Sequence, residues 1–394
     1  MATKPGSRPN GNGKKLELVR FGPIASASIE FGDLTVLVGP QATGKSIFLQ
    51  TLKLLEDLPH VKDECERAGT DWGGDFGQFL DVFYGEGMRS LWRPSKSRVV
   101  WNGEPTDLKR RVESEKAQKG ESLFFIPAQR VITLRDGWPQ AFAYYDPGVP
   151  FVVREFSEKL RLMMTGAKET FFPVHPSLKP EFQELIARDI LPRFELRIDT
   201  DRAQRRLVLS SDKEETPLPF MVWSAGQREF VPLLLGLYRL MTSSGASKRK
   251  GVEWVVIEEP EMGLHPRAVE IVILMIFELI KRGYRVCLST HSPQVLDAVW
   301  VLRYLKMAKA DPKELLRVFE VPTTERMIGL ARTVMKKQLK VHYFDRESGK
   351  TRDISDLDAN SEDAIEAGWG GLTDFSGRAI EAVARAVAAS GIGG

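Results

Sequence analysis

The segment GPQATGKS, Gly39 to Ser46, constrains this 394-residue chain more than any other stretch. It fits the pattern G-x-x-x-x-G-K-[ST] and stands between the apolar run LTVLVG, from Leu34, and a segment with helical patterning from Gly44 towards Leu58. A tight loop between a buried strand and a helix turns successive backbone N–H groups and the helix N-terminus towards one anion. Gly39, Pro40, Gln41, Ala42, Thr43, Gly44, Lys45 and Ser46 would together cradle a triphosphate. Lys45 would neutralise the outer phosphates and the Ser46 hydroxyl would ligate Mg²⁺, while the glycines let the backbone curl without a Cβ clash.

Two later stretches supply groups that such a loop needs. VVIEEPEMGLHP puts Glu258 and Glu259 at the end of an apolar run, where a strand of the same sheet would end beside the phosphates. Glu258 would hold Mg²⁺ through water, and Glu259 would orient or deprotonate an attacking water; the plainer alternative is a solvated turn. LSTHSP places His291 just past another apolar run, positioned to meet a terminal phosphate or to serve as a structural hydrogen bonder.

Composition limits the other readings. The 56 basic and 53 acidic residues leave a net charge of +3, so no global field imposes a nucleic-acid or membrane partner. Cys65 and Cys287, far apart, suit neither a disulfide framework nor a zinc cluster and fit a reducing cytosol. The opening MATKPGSRPNGNGKK reads as a disordered basic tail, and the apolar stretch Ile271 to Phe277 is far short of the ~20 residues that span a bilayer. The chain is expected to be soluble and cytoplasmic.

Patterning gives the organisation. LELVRFG and ASASIEFG read as paired strands and LFFIP, from Leu123, as a core strand. FVVREFSEKLRLMM and PEFQELIARDIL read as amphipathic helices, and FELRID with RLVLSS as a hairpin. SAGQREFVPLLLGLYRLM and AVEIVILMIFELIKR are apolar helices, the second lying between the buried strands VEWVVIEE and YRVCLSTHS. Continuous apolar strands alternating with helices imply a largely parallel sheet covered on both faces. Beyond them LLRVFEV, LKVHYFDRES and TRDISDL suggest strands of a small additional sheet, with helices over Thr324 to Lys337 and Phe375 to Ala389. Trp369, in GWGGL, reads either as a docking surface or as a cap on its own subdomain.

WSAGQRE, Trp223 to Glu229, resembles the ABC signature, with Ala225 in place of the second small glycine. Taken with GPQATGKS, EEPEMGLHP and STHSP in that order, it makes residues 15 to 300 similar to the ATPase heads of the overcoming-lysogenization-defect and RecF-like branch, relatives of structural-maintenance-of-chromosomes heads. The resemblance implies an α/β P-loop NTPase of ABC/SMC-head type. Its parts would be a mostly parallel core sheet, an antiparallel β subdomain, a helical insertion and a small α+β C-terminal extension. The corresponding divisions are residues 1–14 (tail), 15–149 (N-terminal lobe), 150–215 (helical insertion and hairpin), 216–310 (C-terminal lobe) and 311–394 (extension).

The resemblance further implies an ATPase whose site closes between two copies, as a homodimer or higher even-numbered oligomer. Ser224, Ala225, Gly226 and Gln227 of one copy would face the phosphates held by Lys45 of the other, with Met262 to His265 crossing the interface. Gln129, in FFIPAQR, would reach Mg²⁺ and the attacking water, with Gln140 an alternative. Asp356-Leu-Asp358 lacks the preceding strand that a Toprim nuclease site requires, so the implied role is a switch for a separate toxin or nuclease in anti-phage defence. The rivals are a DNA-repair ATPase and a non-hydrolysing scaffold that sequesters a toxin; a transport ATPase fits less, because EEPE and STHSP do not resemble transporter motifs. Basic clusters at Lys109–Arg111, at Arg202, Arg205 and Arg206, and at Lys248–Lys250 read as solvated faces, leaving nucleic acid open only through a composite groove.

Overall fold

A six-stranded sheet organises the molecule, and its order is Thr351–Asp353, Leu339–Phe344, Leu34–Val38, Arg285–Ser289, Trp254–Glu258, Leu123–Ile126. All neighbours pair in parallel except the outermost pair, Leu339–Phe344 with Thr351–Asp353. The computed structural model describes residues 14–166, 170–173, 176–200, 205–211, 216–241 and 247–390; residues 1–13 of the basic tail and Arg202 lie outside that range. Side chains alternate across a strand, and here both alternations are apolar. Val36, Ile126, Val255, Ile257 and Leu288 enter one core, whereas Leu37, Phe125, Trp254, Val256 and Cys287 enter the other. That is why these strands read as unbroken hydrophobic runs.

Parallel neighbours require crossovers, and helices Ala225–Leu240 and Pro266–Lys281 cover the first face with the insertion. The opposite face is covered by the helix Lys45–Arg67 and by an antiparallel sheet of order Ile24–Glu30, Lys15–Phe21, Arg98–Trp101, Glu104–Pro105. Residues read as an insertion form helices Phe151–Thr165 and Pro180–Asp189, and the predicted hairpin is present as Glu195–Asp199 against Arg206–Ser210.

The helix after the phosphate loop runs well past Leu58. Pro59 removes one helical N–H, and the backbone leaves helical geometry at Asp57 (φ −128°, ψ 20°) before resuming. The kink is anchored by charge. Asp57 accepts from the Ser122 and Leu123 N–H groups, and Lys53, fully buried, donates to Asp57 at 2.8 Å and to the Leu123 carbonyl at 2.7 Å. Glu155 on the helix Phe151–Thr165 stands 3.0 Å from Lys53 and 2.9 Å from His60, so the break in one helix ties an edge strand and a second helix together.

The C-terminal region corrects two expectations. LLRVFEV is not a strand: Asp311 caps, Pro312 starts and Leu315 and Leu316 bury a short helix, Pro312–Val318. Nor do the described residues form a separate small sheet here, because Leu339–Phe344 joins the central sheet directly beside the phosphate-loop strand, with Val341 opposite Val36. Trp369 is 9% exposed, with its ring 6.2 Å from that of Trp300, so it caps its own region and offers no docking surface. Asp356 is occupied by the Arg303 guanidinium. The final helix, Asp374–Ser390, leaves Phe375, Ile380 and Val383 exposed. No helix among the described residues is long and apolar enough to cross a membrane.

Candidate functional site

The phosphate loop leaves Leu34–Val38 and enters Lys45–Arg67 around a cavity of about 440 Å³. Gln41 to Ile47 line one side of it, and Glu259 and His291 line the other. Gly39 (φ 138°) and Gly44 (φ 96°) adopt geometry open to glycine; a Cβ on Gly44 would meet Ile24 at 2.6 Å, and one on Gly39 would collide with the Phe344 carbonyl. Lys45 is buried, and its ammonium donates to the Gly39 and Pro40 carbonyls, both at 2.7 Å. Burial pushes this lysine down to about 8 against the opposing pull of Glu259 and Glu261. It is a desolvated cation poised for an anion.

Glu258, the last residue of its strand, is 1% exposed. One carboxylate oxygen accepts from the Ala128 N–H at 3.2 Å, and the Ser46 side chain lies beside the carboxylate. The other oxygen is buried with no hydrogen-bond partner. Burial raises this carboxyl above the usual range, and Ser46 and Ala128 pull it back. An orphaned carboxylate oxygen beside a hydroxyl suits a hard cation that takes oxygen ligands, so the donor set fits Mg²⁺.

Glu259 adopts the left-handed region (φ 43°), uncommon for glutamate and worth about 1–3 kcal/mol of strain. Its N–H donates to the Ser289 carbonyl at 2.9 Å, and its carboxylate stands 3.7 Å from His291 Nε2. Burial, then Lys45, lowers the His291 pKa, with Glu259 opposing, which favours the neutral ring.

Two residues escaped the sequence reading. Arg130 is completely buried and donates to three backbone carbonyls, those of Glu229, Glu258 and Glu259, each at 3.1 Å. One guanidinium thereby holds the strained Glu259 backbone and the helix Ala225–Leu240 in fixed relation. Glu261 accepts from the Thr290 hydroxyl at 2.9 Å and the His291 N–H at 2.6 Å, which fixes the histidine loop. The signal for Glu261 lay in EEPE itself; an arginine directly after Gln129 gives no sign in sequence that it is buried.

The remaining candidates lie apart. Gln129 is exposed, one residue beyond Ala128, and Gln140 lines a different cleft, donating to the Tyr144 carbonyl at 3.1 Å. Ser224 caps the helix Ala225–Leu240 in a capping box with Gln227 (3.3 and 3.0 Å), and Ser224 and Ala225 are exposed. None of Ser224, Ala225, Gly226 and Gln227 lines the Lys45 cavity. A Cβ on Gly226 would lie 3.2 Å from the Gly263 carbonyl oxygen, so the loop Met262–His265 packs directly on this helix.

Residues 168–297 match the family model described as "AAA domain, putative AbiEii toxin, Type IV TA system". That span contains the serine-capped helix, the acidic strand end and His291, which in the fold converge on the phosphate-loop sheet. That segment is similar to an AAA-type domain, and the GPQATGKS loop on a largely parallel sheet gives the chain the fold of a P-loop NTPase head. The head is similar to an SMC head bound to the C-winged helix domain of ScpA, with 11% identity over 86% of this chain and 95% of that one and a TM-score of 0.39. It is also similar to the SMC head domain from Thermotoga maritima (12%, 87% and 97%, TM-score 0.32) and to a dimeric bacterial ABC transporter cassette (10%, 71% and 89%, TM-score 0.32). No curated protein matches its sequence.

Proposed function

We propose that the head binds ATP and hydrolyses it to ADP and phosphate between two copies associated head to tail, and that this cycle switches a separate effector in the cytosol. One observation carries the reading: the helix N-terminus at Ser224 is exposed and does not line the Lys45 cavity of its own chain. A helix end with free N–H groups is an anion site, and a second copy is the natural source of its phosphate.

In this reading Lys45 leaves the Gly39 and Pro40 carbonyls for the outer phosphates, and the loop amides hold the rest. Ser46 and Glu258 would hold Mg²⁺, with Gln129 reaching the same point when the dimer closes. The ion, when bound, would neutralise phosphate charge. Glu259 takes the proton of, or orients, the attacking water, and neutral His291 donates to the terminal phosphate. The wording of the matched family model, a toxin of a type IV toxin–antitoxin system, supports a defence setting with a toxin or nuclease as effector. A non-hydrolysing scaffold would share the dimer but not the turnover.

Both native cysteines are buried, which leaves the surface clear for introduced thiols. Copies carrying Gln41→Cys, mixed with copies carrying Ala225→Cys, should join through a short bismaleimide in the presence of Mg²⁺ and a non-hydrolysable ATP analogue. Absence of that crosslink while the analogue is bound would rule out the head-to-tail arrangement.

A further inference from the structure

A second cleft, of about 1170 Å³, opens away from the phosphate loop. One wall is the hairpin Leu134–Arg135 with Trp138–Pro139, which continues the turn Arg130–Thr133. The facing wall is Leu218–Pro219 and the turn Phe220–Val222, which lead into Ser224. The end of the helix Phe151–Thr165 and the strand Arg206–Ser210 close the base.

Its lining combines unneutralised guanidinium groups with exposed flat or soft apolar groups. Arg205 donates to the Thr165 and Met164 carbonyls at 3.1 and 3.2 Å and stands 5.1 Å over the Trp138 ring. Neither Arg205 nor the exposed Arg135 has a carboxylate partner among the described residues. Arg206 and Arg161 line the cleft too, but Asp199 and Glu158 pair with them at 3.0 and 2.6 Å. Asp136 is the carboxylate in the wall itself. Tyr144 is 78% exposed and Met221 64% exposed, both on the lining. Guanidinium groups that retain their charge select phosphate or carboxylate, and an exposed ring beside them selects a planar aromatic. A nucleotide carries both.

We propose that this cleft binds a nucleotide, either free or at the end of a single nucleic-acid strand, with its phosphate on Arg135 and Arg205 and its base against Tyr144. The volume exceeds that of most drug-sized sites, about 300–1,000 Å³, and leaves space for more than one nucleotide unit. Both walls run into the ATP machinery, one through Arg130 and the other through Ser224. On the head-to-tail reading, a ligand bridging them would bias dimer closure; the binding itself does not depend on that reading.

The test uses the full chain with a non-hydrolysable ATP analogue filling the Lys45 site. Fluorescence anisotropy then follows a labelled decathymidylate strand and, separately, a labelled thymidine monophosphate. Binding of either probe is expected, weakening as salt is raised from about 50 to 200 mM. Arg135→Glu combined with Tyr144→Ala should weaken it at least about tenfold, a loss that removing one stacked base and one phosphate contact suffices to give. Both side chains are exposed, so the fold and the binding of the ATP analogue should be unchanged. Strand-only binding identifies a strand end, and monophosphate binding identifies a free nucleotide. If neither probe binds, as for a cleft made for an acidic protein, or if binding survives the double substitution, the proposal is overturned, whatever the crosslinking shows.

Discussion

Replacing Arg130 with methionine separates a structural clamp from a bystander. The side chain is fully buried and its three donors each meet a main-chain carbonyl at 3.1 Å, with the Glu229 carboxylate 3.4 Å away. Hydrogen bonds from a charged donor contribute about 1.5–3 kcal/mol each, and removing one partner of a buried pair costs about 3–5 kcal/mol. The three bonds share one guanidinium and are not additive, and methionine refills most of the volume, so the expected loss is about 4 kcal/mol. Arg130→Lys keeps the charge but offers a single nitrogen that cannot span three carbonyls, and should lose about 2 kcal/mol. Urea unfolding followed by tryptophan fluorescence reads the stability, and phosphate release with a fluorescent ATP analogue separates turnover from affinity. Turnover should fall far more than affinity, because Glu259 loses the contact that holds its backbone while Lys45 is untouched. A methionine variant within about 1 kcal/mol of the parent, with normal turnover, would refute the clamp.

Three further outcomes follow from the site. Glu259→Gln should lower steady-state ATP turnover by about 10²–10⁴-fold and let ATP-bound dimers accumulate in size-exclusion chromatography, whereas a scaffold that never hydrolyses would show no change. Because burial holds Lys45 near 8 in the free protein, and a bound triphosphate would retain its proton, ATP affinity should fall as pH rises, by about tenfold per unit above pH 8 in calorimetric titrations; a flat profile from pH 7.5 to 9.5 would contradict this. Gly39→Ala forces a Cβ into the Phe344 carbonyl at a positive φ and should cost about 2–4 kcal/mol, visible as a lower urea midpoint with the C-terminal strand the first to exchange amide hydrogens.

Much of the core was legible because apolar runs such as VEWVVIEE and LTVLVG have no other stable use than a strand covered on both faces. Glycine spacing located the phosphate loop for a similar reason: Gly39 and Gly44 occupy backbone geometry that other residues resist. LLRVFEV misled because its β-branched and aromatic residues favour a strand, while the deciding signal, Asp311-Pro312 as cap and first turn, lies outside the apolar run. Sheet order was hidden as well. Nothing in LKVHYF states that its neighbour is a strand about three hundred residues earlier, since parallel pairing leaves no local turn to read. Arg130 illustrates the same limit: its partners are main-chain carbonyls brought together only by tertiary structure.

The insertion of Leu339–Phe344 beside Leu34–Val38 has a consequence for how the chain can be cut or joined. Backbone about three hundred residues further along the chain abuts the first glycine of the phosphate loop, so a chain trimmed after His291 would expose one full edge of the strand that carries it. Ribosomal synthesis must therefore pass Phe344 before that loop reaches its final shape, and anything that peels away this late strand would distort the phosphate loop without touching one of its side chains.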